Sequence, residues 1–358
     1  MANITAAMVK DLRESTGAGV MDCKKALVET DGDMDAAIEV LRKMGAAKVE
    51  KKASRIAAEG IAKVAASGNK AVVVEVNSET DFVAKNEVFQ TFVQSIADKA
   101  LGLDIDKAGD GDDVVSILDM KSELEEKTLA IGEKLSIRRF EKISGDAVGS
   151  YIHNGGKIGV LVAANGDSSD AAKEALVNVA MQVAAMNPQC VSRDDFTSEE
   201  LDKIKEITVD SAINDPASLP KPILMKLIDK AINDKVWSDE DIAIYNEKKS
   251  NMTYLFNFLS KEAASQLAEL AMADRDNIVN DKIFVGLVSG RVSKQLKEIT
   301  LLEQNYVKAT DGKQTVKDYL ASVNPNLVIT KMVRFEVGEG MEKKNEDFAA
   351  EVAKQMQG

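Results

Sequence analysis

The first 45 residues carry apolar side chains at helical spacing and predict three short helices. The residues predicted to form their apolar faces are, helix by helix, Ile4, Met8 and Leu12; Val20, Cys23 and Leu27; and Ala37, Ile38 and Leu41. Thr5 and Asp33 are placed to cap the starts of the first and third helices, and Gly17 and Gly45 to follow their ends. A bundle of this size has a small core and lies near the lower limit for independent folding.

The middle of the chain shows one pattern twice. Residues 68–100 and 155–188 each begin with a glycine turn, continue as an apolar strand and a short loop, and end in an amphipathic helix. Further strand candidates precede the copies at 60–67 and 147–154 and follow them at 134–143 and 327–338. We therefore predict an α+β fold with two small antiparallel sheets, each with helices on one face.

A long helical segment, residues 192–298, interrupts the second copy before its last strand. Its stretch NMTYLFNFLS is apolar at adjacent rather than heptad positions, so we expect a small bundle with its own core instead of a coiled coil. A short helix with Phe348 on its apolar side ends the chain. The predicted domains are a three-helix domain with connector, a first core subdomain, a second core subdomain with the helical insertion, and a C-terminal helical module: 1–55, 56–144, 145–338 and 339–358.

Composition narrows the classes of partner. The 358 residues include 46 basic and 59 acidic side chains, a formal charge of −13, which disfavours phosphate-driven nucleic-acid binding and anionic membrane surfaces. The N-terminus lacks a signal-peptide pattern, and no apolar run approaches the roughly 20 residues needed to span a bilayer. Cys23 and Cys190 do not make a disulfide framework, so we expect a cytoplasmic protein.

Motifs for catalysis or cofactor binding are missing from the sequence. There is no G-x-x-x-x-G-K-[ST] phosphate cradle, and GEGMEKK at 338–344 is best explained as a turn after the last strand. His153 has no recognisable serine or cysteine nucleophile near it, and a lone histidine at a strand end is more often structural. With one histidine and two cysteines a structural zinc site is also disfavoured. We expect no enzyme, no cofactor and no metal site.

The stretch AVVVEVNSETDFVAKNEVFQTFV, residues 71–93, raises one functional question. The residues predicted to face the core are Val72, Val74 and Val76 on the strand and Val88, Phe89 and Phe92 on the following helix. Phe82 lies between them, in the connection. Either Phe82 covers the core, with Thr80 or Asp81 as the N-cap of the helix, or Phe82 is an exposed apolar side chain that acts as an interface hot spot.

Four long motifs resemble a known protein family, and this resemblance favours an exposed Phe82 that contacts a partner. They are MVKDLRESTGAGVMDCKKALVETDGDMDAAIEVLRKMG, NSETDFVAKNEVF, GSYIHNGGKIGVLV and RFEVGEGMEKKNEDFAAEVAKQ, and together they resemble the bacterial elongation factor Ts family. That family comprises the nucleotide exchange factors of the translational GTPase elongation factor Tu. The resemblance covers roughly residues 1–190 and 299–358, whereas the segment 192–298 is expected to be longer than usual in the family and shows no resemblance to it.

The resemblance implies a role for particular residues. Thr80, Asp81, Phe82 and Val83 are expected to enter the GTPase domain of elongation factor Tu and to dislocate its Mg²⁺, so that GDP leaves. Further contacts with the GTPase are expected from Lys10, Arg13, Val20, Met21, His153 and Phe348. The alternative for Val20 and Met21 is that they complete the three-helix core. Two other function classes remain open at this point: a peptide-binding adaptor, because the three-helix start resembles ubiquitin-associated bundles, and an enzyme.

Overall fold

The computed structural model describes residues 4–109 and 111–342, apart from the side chain of Ala46. The chain folds into two compact units. The first, called the sheet unit here, contains the chain up to Asn187 and again from Asn305, and the second, the helical unit, is Pro188–Gln304. Among the described residues, no helix combines the length and the apolar character that a membrane crossing needs.

The secondary structure alternates as the sequence patterns predict. The helices are α1 Ala6–Thr16, α2 Val20–Glu29, α3 Met34–Lys52, α4 Asp81–Ala84, α5 Glu87–Gly102, α6 Val114–Ile117, α7 Lys121–Ile131, α8 Asp170–Met186, α9 Ser198–Asn214, α10 Lys221–Asn233, α11 Asp239–Lys248, α12 Lys261–Ala273, α13 Arg275–Val279, α14 Lys282–Ile299 and α15 Val316–Val323. The strands are β1 Glu59–Ser67, β2 Lys70–Ser78, β3 Lys107–Ala108, β4 Ser136–Ser144, β5 Ala147–His153, β6 Ile158–Asn165 and β7 Val328–Glu336.

Two antiparallel sheets form the centre of the sheet unit, which confirms the predicted α+β class. The first sheet has the order β1-β2-β4-β3 and the second the order β5-β6-β7. Helix α5 covers one face of the first sheet, and α8 covers one face of the second. The strand–strand–helix–strand pattern therefore occurs twice in the structure, as it does in the sequence.

The remaining faces of the two sheets pack against each other. Along β2, Val72, Val74 and Val76 belong to the core under α5, as predicted, while Val73 packs against Leu161 of the second sheet. Successive strand residues point to opposite faces, so β2 is buried on both sides. This explains why its sequence is a continuous apolar run rather than an alternating one.

A buried carboxylate interrupts that run. Glu75 is fully buried and binds Arg138 Nη1 at 3.0 Å and Arg139 Nε at 2.6 Å. Neighbouring strand residues normally point to opposite faces, but the pairing register of β2 with β4 shifts between Glu75 and Val76 and leaves Arg138 as the extra residue of a bulge. Glu75 also accepts a hydrogen bond from Gly338 N at 2.9 Å, so this ion pair fastens the turn after β7 to the first sheet.

The N-terminal bundle has three of its four predicted caps and differs from the prediction at Ile38 and Gly45. Thr5 and Asp33 accept capping hydrogen bonds from the backbone, and Gly17 ends α1 in the left-handed conformation. Ile38, predicted to be buried, is 38% exposed. The prediction that α3 ends at Gly45 is wrong, because the helix continues to Lys52.

The reason for the glycine in α3 lies in helix packing. A Cβ atom at position 45 would stand 2.7 Å from Cδ1 of Leu129, which belongs to α7. Gly45 therefore makes room for α7 instead of ending α3. Lys52, at the end of the same helix, donates a hydrogen bond to the carbonyl of Thr128, 3.4 Å away.

The helical unit has its own core, as predicted for the segment 192–298. Apolar side chains of α9, α10, α12 and α14 form one cluster that includes Trp237 and Phe284. The indole Nε1 of Trp237 donates to the Ala263 carbonyl at 3.1 Å. Asp241, also buried, accepts hydrogen bonds from Ser238 and from the backbone N–H of Ser260.

Candidate functional site

The connection after β2 forms a short helix that exposes its aromatic residue. Phe82, the second residue of α4, is 80% exposed, whereas the next two residues, Val83 and Ala84, are buried in the core under α5. The alternative in which Phe82 covers the core is therefore wrong: Val83 fills that position. Because α4 has only one turn, burying Val83 and Ala84 turns the neighbouring Phe82 ring toward solvent.

Hydrogen bonds from a distant part of the chain hold α4 at its start. The backbone N–H of Thr80 donates to Glu133 Oε2 at 2.9 Å, and its hydroxyl donates to Oε1 at 2.6 Å. The preceding residue, Glu79, accepts from the backbone N–H of Lys134 at 2.6 Å and from Arg55 at 3.2 Å. Four hydrogen bonds therefore fix the two residues that lead into α4.

The predicted capping role of Thr80 and Asp81 is not observed. Thr80 occupies the N-cap position of α4, but its hydroxyl serves Glu133 and makes no cap bond. Helix α5 is capped instead by Asn86, whose side chain accepts from the N–H groups of Val88 and Phe89. Val88, predicted to face the core with Phe89 and Phe92, is 55% exposed, while those two phenylalanines are buried.

A carboxylate and an ammonium group stand beside the exposed ring. Asp81 accepts a hydrogen bond from Lys85 Nζ at 2.7 Å, and the same nitrogen lies 5.9 Å from the centroid of Phe82. The hydrogen bond from Lys85 holds the pKa of Asp81 below its ordinary value, and the charge of Lys157 acts in the same direction. Asp81 is therefore an anion at neutral pH.

A second loop lies at the same end of the first sheet. Lys157 forms an ion pair with Glu59 at the start of β1, and Glu59 pairs in register with Ser78, the last residue of β2. His153, at the end of β5, is exposed, and its Nδ1 lies 3.1 Å from the hydroxyl of Tyr151. The structure therefore brings the loop that follows His153 to the end of the sheet from which α4 begins.

The N-terminal candidates form a separate exposed group. Lys10 and Arg13 are exposed on α1, and Val20 and Met21 are 47% and 76% exposed at the start of α2. The core of the bundle contains Cys23 and Leu27 but neither of those two apolar residues. The alternative in which Val20 and Met21 complete the core is therefore wrong. Phe348 lies outside the described residues.

Sequence reasoning missed the residues that hold the site. Glu133 is separated from Thr80 by 53 positions, and no motif marks it as a partner. Glu79 and Lys85 flank the segment 80–84 in the sequence, and these charged residues on either side of Phe82 were the one sequence feature that pointed to an exposed segment. In the described part of the chain, no three histidine, cysteine or acidic side chains are grouped so that they could hold a metal ion.

Comparison with known proteins gives one consistent result. A family model described as elongation factor TS matches residues 79–339. The elongation factor Ts of Clostridioides difficile strain 630 is 41% identical over 370 aligned residues, which cover 99% of this chain and all of the relative. The elongation factor Ts of Lactobacillus delbrueckii subsp. bulgaricus strain ATCC BAA-365 is 43% identical over 372 residues, which cover 99% of both chains. These ranges include residues 192–298, so the expectation that this segment does not match the family is wrong, whereas its greater length than usual in the family stays a prediction.

Proposed function

This chain belongs to the elongation factor Ts family and is a translation elongation factor, and on that premise we propose that it is the guanine nucleotide exchange factor of elongation factor Tu. In this proposal it binds the GDP-bound GTPase, dislocates the Mg²⁺ ion of that GTPase, promotes GDP release, and stabilises the nucleotide-free state until GTP binds. The observation that carries the proposal is the exposure of Phe82 on a helix whose other apolar residues are buried.

Phe82 supplies the binding energy that such a step needs. An aromatic side chain buries about 150–250 Å² when it enters an apolar gap. With 80% of the residue's surface exposed and about 25 cal/mol per Å², the contact can contribute up to about 5 kcal/mol. The free protein gains nothing from this surface, so all of it is available for association.

Asp81 acts beside the aromatic contact. Its carboxylate is ionised and bonded to Lys85 in the free protein. Brought near the Mg²⁺ shell of the GTPase, an anion competes for the hydrogen-bond donors that orient the metal ligands and the coordinated water. Loss of the metal removes the largest local positive charge that holds the GDP phosphates.

This mechanism requires no covalent chemistry from the factor, which is why we do not propose an enzyme. A protein that binds the nucleotide-free GTPase more tightly than the GDP form must weaken GDP binding by the same ratio. Thr80 and Glu133 contribute by holding α4 in place before contact, so less conformational entropy is lost on binding.

The other candidates extend the same surface. Lys10, Arg13, Val20 and Met21 are exposed together on the N-terminal bundle, as side chains must be to contact a partner. His153 is exposed at the end of β5, near the loop that reaches α4. We propose that these residues and Phe348 contact the GTPase as well, and that Phe82 and Asp81 alone act at the metal.

Release of fluorescently labelled GDP from elongation factor Tu tests the proposal. Phe82→Ala should slow the stimulated release tenfold or more, because truncating a hot-spot aromatic commonly costs over about 2 kcal/mol and each 1.4 kcal/mol is a factor of ten. The melting temperature should stay that of the parent protein, because the ring is exposed.

A matched control is available in the helical unit. Phe258 is also an exposed phenylalanine, at 51%, and Phe258→Ala should leave GDP release unchanged. Equal rates for parent and Phe82→Ala would refute the proposed role of the ring. Absence of any stimulation by the parent protein would refute the exchange function and favour the adaptor or enzyme alternatives.

A further inference from the structure

A cleft in the helical unit has no part in the site described above. It has a volume of about 530 Å³ and is lined by side chains of α9 and α14 together with Arg193 and Val279. Phe284 and Val288 form its buried floor, and Val285 at its mouth is 50% exposed. Ile283 of α14, 51% exposed, lies outside the cleft, on the face of that helix that carries Gly286 and Gly290. A single exposed apolar residue is ordinary, but a mostly apolar cleft with one such residue at its mouth and another beside it is a candidate binding surface.

Helix α14 continues this surface with small side chains. Gly286 and Gly290 are exposed, and a Cβ atom added to either would have no other atom within 4 Å. At 100° per residue these glycines share one face with Ser289 and Ser293. The distance between two packed helices depends on the side chains at their contact, so this face permits unusually close approach.

The charge of α14 contrasts with that of the chain. The sequence from Lys282 to Lys297 contains no acidic residue, although the chain has 59 of them against 46 basic ones. Lys282 and Lys297 lie on the same face as the glycines and about 22 Å apart along the axis, at 1.5 Å per residue. At the cleft, Arg193 is neutralised by Glu303 at 2.6 Å, and Lys205 has the exposed carboxylates of Asp202 and Glu206 near it on α9, so the uncompensated positive charge lies on α14.

We propose that the cleft and the adjoining exposed face of α14 dock an acidic α-helix of a partner protein. The partner helix crosses α14 at the two glycines, places one large apolar side chain in the cleft, and brings carboxylates to Lys282 and Lys297. Charge complementarity selects this occupant, because the exposed face of α14 carries Lys282, Lys294 and Lys297 and no carboxylate, in a chain of net charge −13. The inference does not depend on the exchange activity of the chain.

Fluorescence anisotropy of the full chain with a labelled helical peptide tests this proposal. The probe has about 18 residues, or five helical turns, with glutamate near both ends, alanine in the middle and one leucine for the cleft. We expect a Kd of about 10–100 µM, and a matched peptide with lysine in place of glutamate should bind at least tenfold more weakly. Failure of the acidic peptide to bind, or equal binding of the lysine peptide, would overturn the proposal.

Three variants locate the binding. Gly290→Leu, which fills the open face without changing charge, should weaken peptide binding about tenfold or more, as should Lys282→Glu combined with Lys297→Glu. The control, Lys226→Glu combined with Lys261→Glu, reverses two exposed charges on α10 and α12 and should bind like the parent. Equal loss in the control would show non-specific attraction and refute the site.

Two other occupants give different results. If the parent protein forms a dimer in sedimentation that Gly290→Leu abolishes, the face binds a second copy and the proposal is wrong. If a medium-chain fatty acid binds the parent and Gly290→Leu equally while the peptide does not bind, the cleft is a small-molecule site and the proposal is again wrong. The exchange assay, run on Gly290→Leu in parallel, should match the parent.

Discussion

Glu133 offers a direct test of whether the exposed helix α4 works because it is held in place. Glu133→Ala removes the acceptors of two hydrogen bonds from Thr80, at 2.9 and 2.6 Å, and leaves Phe82 untouched. A hydrogen bond to a charged group is worth about 1.5–3 kcal/mol. Both partners are half exposed, so water replaces part of each bond. We take about 1–3 kcal/mol for the pair.

That energy should be lost from binding rather than from folding. In Glu133→Ala the start of α4 becomes free to move, and the GTPase has to order it on contact. The factor concentration that gives half-maximal GDP release should therefore rise about 5- to 150-fold, which is the affinity equivalent of that energy. The rate at saturating factor should stay near that of the parent, because Phe82 and Asp81 are still present. Phe82→Ala should instead lower the saturating rate.

Titration of the factor against labelled GDP release separates the two effects. Glu133→Gln, which keeps one acceptor oxygen, should give an intermediate half-maximal concentration. Glu123→Ala removes an exposed carboxylate from α7 and should match the parent. An unchanged half-maximal concentration in Glu133→Ala, with the protein folded, would show that positioning of α4 contributes nothing to binding.

Three further predictions concern stability, and the single tryptophan, Trp237, reports on the helical unit by its fluorescence. Glu75→Gln leaves the guanidinium groups of Arg138 and Arg139 without their buried counter-charge and should lower the free energy of unfolding of the sheet unit by about 3–5 kcal/mol. Hydrogen exchange of the β2 amides in urea measures this, and protection equal to that of the parent protein would contradict the importance of the ion pair. Burial acts to raise the pKa of Asp241, but hydrogen bonds from two serines outweigh it and the pKa is lowered, so this stabilisation is present above the unfolded pKa and lost as pH falls through the folded one. Asp241→Asn should make the urea midpoint of Trp237 fluorescence less dependent on pH below about 4, and an unchanged dependence would refute this. Gly286→Ala should raise the urea midpoint of Trp237 fluorescence, because alanine in a helix interior is about 0.5–1 kcal/mol more stable than glycine and this position has room for a methyl group. A lower midpoint would show that the glycine face of α14 is already covered.

The sequence predicted the fold well where local signals agree. Periodicity and caps identified the helices of the bundle, and the duplicated strand–strand–helix–strand pattern identified both sheets. The two-residue strand β3 was missed, because it exists only through pairing with Glu141 and Phe140 of β4. Gly45 was misjudged for a similar reason: the contact that explains it, with Leu129, is distant in sequence.

The candidate site was less accessible to sequence reasoning. Whether Phe82 is exposed depends on which residue of α4 fills the core, and only the packing of Val83 decides that. The hydrogen bonds between Thr80 and Glu133 form only because two turns that are distant in sequence lie next to each other in the fold. The domain boundaries inferred from composition, including the one at residue 55, stay predictions. A chain that begins at residue 56 would test that boundary, with α7 losing the cover that α3 gives it.

The burial of β2 on both faces has a consequence for how this protein can change over time. From Ala71 to Ser78 every residue is buried, so nearly any substitution there lowers the amount of folded protein. Four positions later, Phe82 is 80% exposed, so we expect most substitutions there to leave folding unchanged. A collection of variants sorted by cellular abundance alone should therefore retain most substitutions at Phe82 and reject those in β2. Selection on translation would remove both, and comparing the two selections would separate the residues that build this molecule from those it uses.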